Sequence, residues 1–97
     1  MIPVKRIEIV VDGRTGRRVT EILDGLDLTG WTRLRNASGS GDRGRRHADE
    51  LTGVASNLVF VTTCTPEQLD GVVAALRPVL EQSGGMCLVS DALWVLH

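Results

Sequence analysis

Apolar and polar positions change period along this chain, and the changes mark its elements. VKRIEIVV (4–11) is rich in β-branched residues and ends at Asp12-Gly13, which predicts a strand followed by a turn. From 15 to 26 the period lengthens. Val19, Ile22, Leu23 and Leu26 recur at helical spacing, with Arg17, Arg18, Glu21 and Asp24 largely around the other side. Gly30 ends the connection, and WTRLRNA (31–37) alternates as a second strand. The same succession then returns. NLVFVTTC (57–64) reads as a strand and Thr65-Pro66-Glu67-Gln68 as a helix start. Thr65 can cap orphan backbone N–H groups, Pro66 suits the first helical position, and Gln68 completes a capping box. Leu69, Val72, Val73, Leu76 and Leu80 form the apolar stripe, and Pro78 within it predicts a bent or shortened helix. Ser83-Gly84-Gly85 breaks the run, and MCLVSDALWVLH (86–97) supplies a last strand or strand pair.

The order is therefore β-α-β, a long loop over 38–56, and β-α-β again. This predicts an α+β fold of ferredoxin-like βαββαβ type, a four-stranded antiparallel sheet with two helices on one face. The 97 residues fit one domain, 1–97, with no room for a second core. Alternate positions of IEIVV and LVFV cannot all point at the helices, so the second sheet face is also apolar and needs a cover. Further copies of the chain are the simplest cover, and a nucleic acid or a partner protein comes next.

Composition narrows the class. A hydrophobic share of 42% with 24% charged residues is that of a globular domain rather than a disordered one. The net charge of −1 argues against wholesale nucleic-acid binding. Cys64 and Cys87 are too few for a disulfide framework and read as buried strand thiols. No histidines or cysteines show metal-ligand spacing, so no metal site is expected. No apolar run approaches the roughly 18–20 residues that a bilayer requires, and the first residues read as a strand rather than a signal peptide. The expected compartment is the cytoplasm.

The loop SGSGDRGRRHADELTGVAS (38–56) is too long to be a plain connection. Gly39, Gly41 and Gly44 let backbone N–H groups approach a ligand, and Ser38 and Ser40 add hydroxyls. Arg43, Arg45 and Arg46 supply the planar forks that suit phosphate. Together they point to an anion site, for a nucleotide phosphate above all. The same composition also fits a solvated basic loop, because GSGDRGRR is neither a Walker A loop nor a dinucleotide fingerprint. Gly84-Gly85 permits close approach to a phosphate or ribose of a neighbouring copy, and equally serves as a helix cap and turn. Trp31 and Trp94 read as packing residues, His47 as a loop histidine and His97 as terminal.

Across nearly its whole length the sequence resembles the PII-like signalling proteins, above all their carbon-associated branch. That branch includes the carboxysome-associated PII protein and a bicarbonate-transporter regulator. The resemblance runs through VKRIEIVV, LTGWTRLRNASGSGDRGRR and NLVFVTTCTPEQLDGVVAAL to the SGG turn. The Thr-Gly-aromatic-Thr segment with its glycine-basic loop is the most specific part. It implies a homotrimer with nucleotide sites between subunits and makes 38–56 the T-loop, whose order changes on ligand binding. By the same resemblance, Thr32 lies near the adenine, and Gly39, Ser40 and Gly41 lie at the phosphate-binding base of the loop. Arg43 and Arg46 hold its two basic positions, and Gly84 and Gly85 form the B-loop that meets phosphates from the adjacent subunit.

The departures matter. Arg43-Gly44 stands where the nitrogen-regulating members have a glutamine and a lysine, no tyrosine is available for modification, and the B-loop is short and lacks lysine. Fewer phosphate contacts favour ADP or AMP over ATP with magnesium, and bicarbonate is an expected further ligand. A membrane transporter or an enzyme of inorganic-carbon use is the partner the resemblance implies, with carboxysome association as the alternative location. No catalytic residues are expected, because no base pairs with the loop serines and no two carboxylates are matched as acid and base. An adenine-nucleotide hydrolase and an RNA-binding module are the competing readings. The second is weakened by the shortage of aromatics that a base-stacking sheet needs.

Overall fold

In the computed structural model, residues 1–37, 39–41, 44–46 and 56–97 are described, with backbone alone at 36, 37, 39–41 and 44–46. Strand β1 (Ile2–Asp12) is followed by helix α1 (Gly16–Gly25) and β2 (Trp31–Ala37). Two short strands, β3 (Gly39–Gly41) and β4 (Gly44–Arg46), precede β5 (Asn57–Cys64). A 3-10 turn (Pro66–Gln68) leads into α2 (Leu69–Ser83), and β6 (Met86–Trp94) closes the chain. The main sheet has the order β2-β5-β1-β6, with every neighbouring pair antiparallel. This is the ferredoxin-like arrangement that the two β-α-β halves predict.

The alternation along β1 and β5 decides the core. Ile7, Ile9 and Val11 on β1 and Phe60, Thr62 and Cys64 on β5 are buried under the helices. Ile7 stands opposite Thr62, and Ile9 opposite Phe60. Val19 and Leu23 from α1, with Val72, Leu76 and Val79 from α2, complete the cluster. Val79 was absent from the predicted stripe, whereas the predicted Val73 lines an outer groove of α2.

Local chemistry fixes the helix starts. Asp12 Oδ1 accepts hydrogen bonds from the backbone N–H groups of Arg14 and Thr15 and from the Thr15 hydroxyl, each at 3.0 Å. That Asx turn ends β1 and opens α1. Gly16 lies close against Leu58 there, and a methyl group on its Cα would force the end of the Leu58 side chain to move. The predicted capping box is present: the Thr65 hydroxyl accepts from Gln68 N–H, and the Gln68 side chain accepts from Thr65 N–H.

The structure refines three expectations. Pro78 does not shorten α2, which continues to Ser83. Pro78 and Ala74, whose carbonyl loses its i+4 partner, are both on the exposed side, where water replaces the missing donor. The final segment forms one strand, because β6 pairs continuously with β1 from Met86 to Trp94. The long loop is not structureless at its beginning. β3 and β4 form a small antiparallel ladder with Gly39 opposite Arg46 and Gly41 opposite Gly44.

Candidate functional site

Thr32 lies exposed on β2, opposite Val61 of β5. Its strand is well anchored. The Trp31 indole N–H donates to Asp24 Oδ1 at 2.9 Å, and its ring packs against Phe60 with centroids 5.8 Å apart. Just before β2, the Thr62 hydroxyl donates to the Gly30 carbonyl, and the Gln68 side-chain amide donates to the Asp27 carbonyl. The α1–β2 connection is thereby tied to β5 and to the start of α2. Trp31 is thus a packing residue, as expected.

A bulge between Leu34 and Ala37 breaks the β2–β5 register where the chain enters the glycine-arginine segment. Exposed Arg35 sits in that bulge. It adds a cation at the loop base that sequence reasoning missed, although the alternating WTRLR run carried the signal. The ladder of β3 and β4 contains three predicted ligand residues, Gly39, Ser40 and Gly41, and pairs them with Arg46, Arg45 and Gly44. The ladder brings the serine-glycine arm and the arginine arm of this segment side by side. Arg43 and His47 lie outside the described residues.

Gly84 and Gly85 form the turn from α2 to β6. Both have positive φ, 74° and 110°. Gly84 N–H closes the helix by donating to the Leu80 carbonyl at 2.8 Å. A Cβ on Gly85 would lie 2.5 Å from the Val10 carbonyl oxygen. No side chain fits there; Gly85 is exposed, whereas Gly84 is buried.

The register places these parts relative to one another. Leu34 pairs with Val59, Val59 with Val10, and Val10 with Met86. One row across the sheet therefore leads from the base of the glycine-arginine segment to the Gly84-Gly85 turn. Both lie at the same end of the sheet but at opposite edges, because β2 and β6 are the outer strands. Three strand spacings of about 4.8 Å separate them, roughly 14 Å. One chain does not bring Thr32 and the Gly84-Gly85 turn together. Two shallow grooves among the described residues, of about 300 and 480 Å³, contain none of Thr32, Gly84 or Gly85.

Other chemistry is sparse. Both cysteines are free. Burial raises the pKa of the Cys64 thiol, with Lys5 pulling the other way, and burial likewise raises that of Cys87. Neither is an activated thiolate. Among the described residues no three histidine, cysteine or acidic side chains are grouped to hold a metal ion. No helix is long and apolar enough to cross a membrane.

Comparison with known proteins accounts for this arrangement. The sequence model of the nitrogen regulatory protein P-II family matches residues 4–95. The chain belongs to this family. No curated protein sequence is significantly similar to it. Among solved structures, CPII from Thiomonas intermedia K12, a nitrogen regulatory PII-like protein bound to ADP, AMP and bicarbonate, superposes with a TM-score of 0.84. The two are 23% identical over 93% of this chain and 86% of CPII. The apo form of CPII gives a TM-score of 0.75 at 22% identity, covering 93% of this chain and 89% of the other. The GlnK–ATP complex of B. subtilis gives 0.65 at 16% identity, covering 95% and 84%. At these identities the likeness establishes the fold, and the P-II family match makes this chain a PII-like signalling protein.

Proposed function

We propose that this P-II family chain is a non-enzymatic signalling protein that binds ADP or AMP, together with bicarbonate, between neighbouring copies of a homotrimer. One observation carries the reading. The glycine-arginine segment and the Gly84-Gly85 turn, exposed at Gly85, lie at the same end of the sheet but on opposite edges. Copies arranged around an axis bring the β2 edge of one against the β6 edge of the next, and each junction then holds a complete site. Thr32 and the strand beneath it would face the adenine. Gly39, Ser40 and Gly41 would offer backbone N–H groups and a hydroxyl, and Arg43 and Arg46 would hold phosphate or bicarbonate through charge-assisted hydrogen bonds. Gly84 and Gly85 would meet the phosphates from the neighbouring copy. The ligands bound to CPII support the choice of ADP, AMP and bicarbonate.

Ligand binding would shift the 38–56 segment towards one arrangement, and a partner would read that arrangement. A membrane transporter or an enzyme of inorganic-carbon use fits such a sensor, working in the cytoplasm or at a carboxysome. The competing readings lose ground. Phe60, the single phenylalanine, is 0% exposed beneath the helices and is not available to stack RNA bases. Asp12, at the end of β1, is engaged by three donors in the turn before α1, which weakens its case as a catalytic acid or base.

Calorimetric titration with AMP, ADP and ATP, with and without bicarbonate, tests the proposal. ADP or AMP should bind, and bicarbonate should tighten that binding. Arg43→Ala should weaken the phosphate-bearing ligands roughly tenfold or more, the loss expected for a hydrogen bond to a charged group, and leave adenosine unchanged. Absence of binding by every nucleotide at millimolar concentration would remove the ligand assignment. Steady release of phosphate would restore the hydrolase.

A further inference from the structure

The sheet face away from the helices carries an ion pair at its centre. Positions 2–10 of β1 that point away from the core are Ile2, Val4, Arg6, Glu8 and Val10. Arg6 stands between Thr63 of β5 and Ser90 of β6, and Glu8 between Val61 and Leu88. Their side chains meet at 3.0 Å and are 41% and 32% exposed. The surrounding positions on that face are apolar or hydroxyl-bearing: Leu34, Val59, Met86, Ala92 and Trp94 continue it to both edges. Between Ile2 and Val10, and across the paired positions of the other three strands, Arg6 and Glu8 are the only charges on this face.

We propose that Arg6 and Glu8 form the polar centre through which copies of this chain recognise one another, each guanidinium reaching the Glu8 carboxylate of a neighbouring copy as well as its own. This rests on the homotrimer proposed above and adds what selects the partner and fixes its register. Charge supports the choice of occupant. One cation and one anion two residues apart on a single strand give a centre that is neutral and complementary to itself. A nucleic acid or an anionic lipid surface would instead need an excess of cations. The face is also large: four strands about nine residues long cover roughly 600 Å² in projection, which a trimer shares between the two neighbours of each copy. Covering the face removes water from both charges, so a copy docked out of register would leave them unpaired at high cost. An apolar face with this centre therefore rejects misaligned copies, the recognised use of polar groups within apolar seams.

The test uses the full chain and sedimentation velocity, with far-UV circular dichroism to verify folding. Wild type should sediment as a trimer. Arg6→Glu places two acids at the centre of each copy, and Glu8→Arg places two bases there. Each variant alone should associate at least tenfold more weakly than wild type. Mixing the two should restore mixed assemblies, because opposite charges then meet across the interface. The exchange Arg6→Glu with Glu8→Arg in one chain should assemble as wild type does and controls for the size of the substituted side chains. Single variants that assemble normally would overturn the inference while leaving the trimer intact. So would folded single variants that stay apart when mixed, or a folded exchange variant that fails to assemble. A monomeric wild type would instead overturn the homotrimer itself.

Discussion

The two faces of the central sheet are built from the same strands by the same alternation and have different fates. Ile7, Ile9 and Phe60 are sealed beneath α1 and α2. On the opposite face Leu34 and Leu88 remain 56% and 52% exposed. The difference lies in supply. Among the described residues two α-helices form, and both pack on the same side. The covered face holds the fold together. The open face keeps its apolar area unspent until something docks on it, and its single ion pair then becomes decisive. Stability and recognition thus reside on opposite sides of one sheet, one residue out of phase.

The sharpest way to break this comparison is to delete volume on each face. Phe60→Ala should lower the free energy of unfolding by about 3–5 kcal/mol at every protein concentration, because it leaves a cavity in a packed core. Leu88→Ala should change the unfolding of an isolated subunit by roughly 0.5 kcal/mol or less, while weakening self-association. Urea denaturation at two protein concentrations separates the effects. Equal losses for both variants, independent of concentration, would mean that the two faces do not differ in role.

A second substitution probes where fold and candidate site meet. Gly85→Ala forces a side chain into a positive-φ position and against the Val10 carbonyl. It should cost about 1–3 kcal/mol in the same denaturation experiment, and it should also weaken nucleotide binding if the turn is a ligand contact. Retained affinity in a folded Gly85→Ala protein would leave the turn a purely structural device.

The smallest effect belongs to the covered side. Thr65→Ala removes the hydroxyl half of the capping box at the start of α2, which should cost about 1 kcal/mol and leave association unchanged. A change in association would mean that the helix layer also takes part in assembly.

Local signals in the sequence specified most of this molecule. The 31–37 and 57–64 strands have the bounds the alternation predicts, and the capping box of Thr65 and Gln68 forms as written. These features depend on residues within a few positions of one another, so period and capping chemistry suffice to read them. Whether Pro78 would shorten α2 was not legible, because the cost depends on whether the orphaned carbonyl faces water, a fact about the packed helix. Val79 is different: it lies three residues after Leu76 and seven after Val72, so the helical period itself carried the signal. At the candidate site composition could name the glycine-arginine segment and Gly84-Gly85, while Thr32 came from the family resemblance alone. The sequence could not say that they fall at one end of the sheet and on opposite edges. That follows from the strand order β2-β5-β1-β6, set by pairings between residues up to about ninety positions apart. The same pairings place Arg6 and Glu8 at the centre of the open face. Chemistry carried by neighbours along the chain is legible in the sequence, whereas chemistry assembled by distant backbone pairing is decided only when the sheet closes.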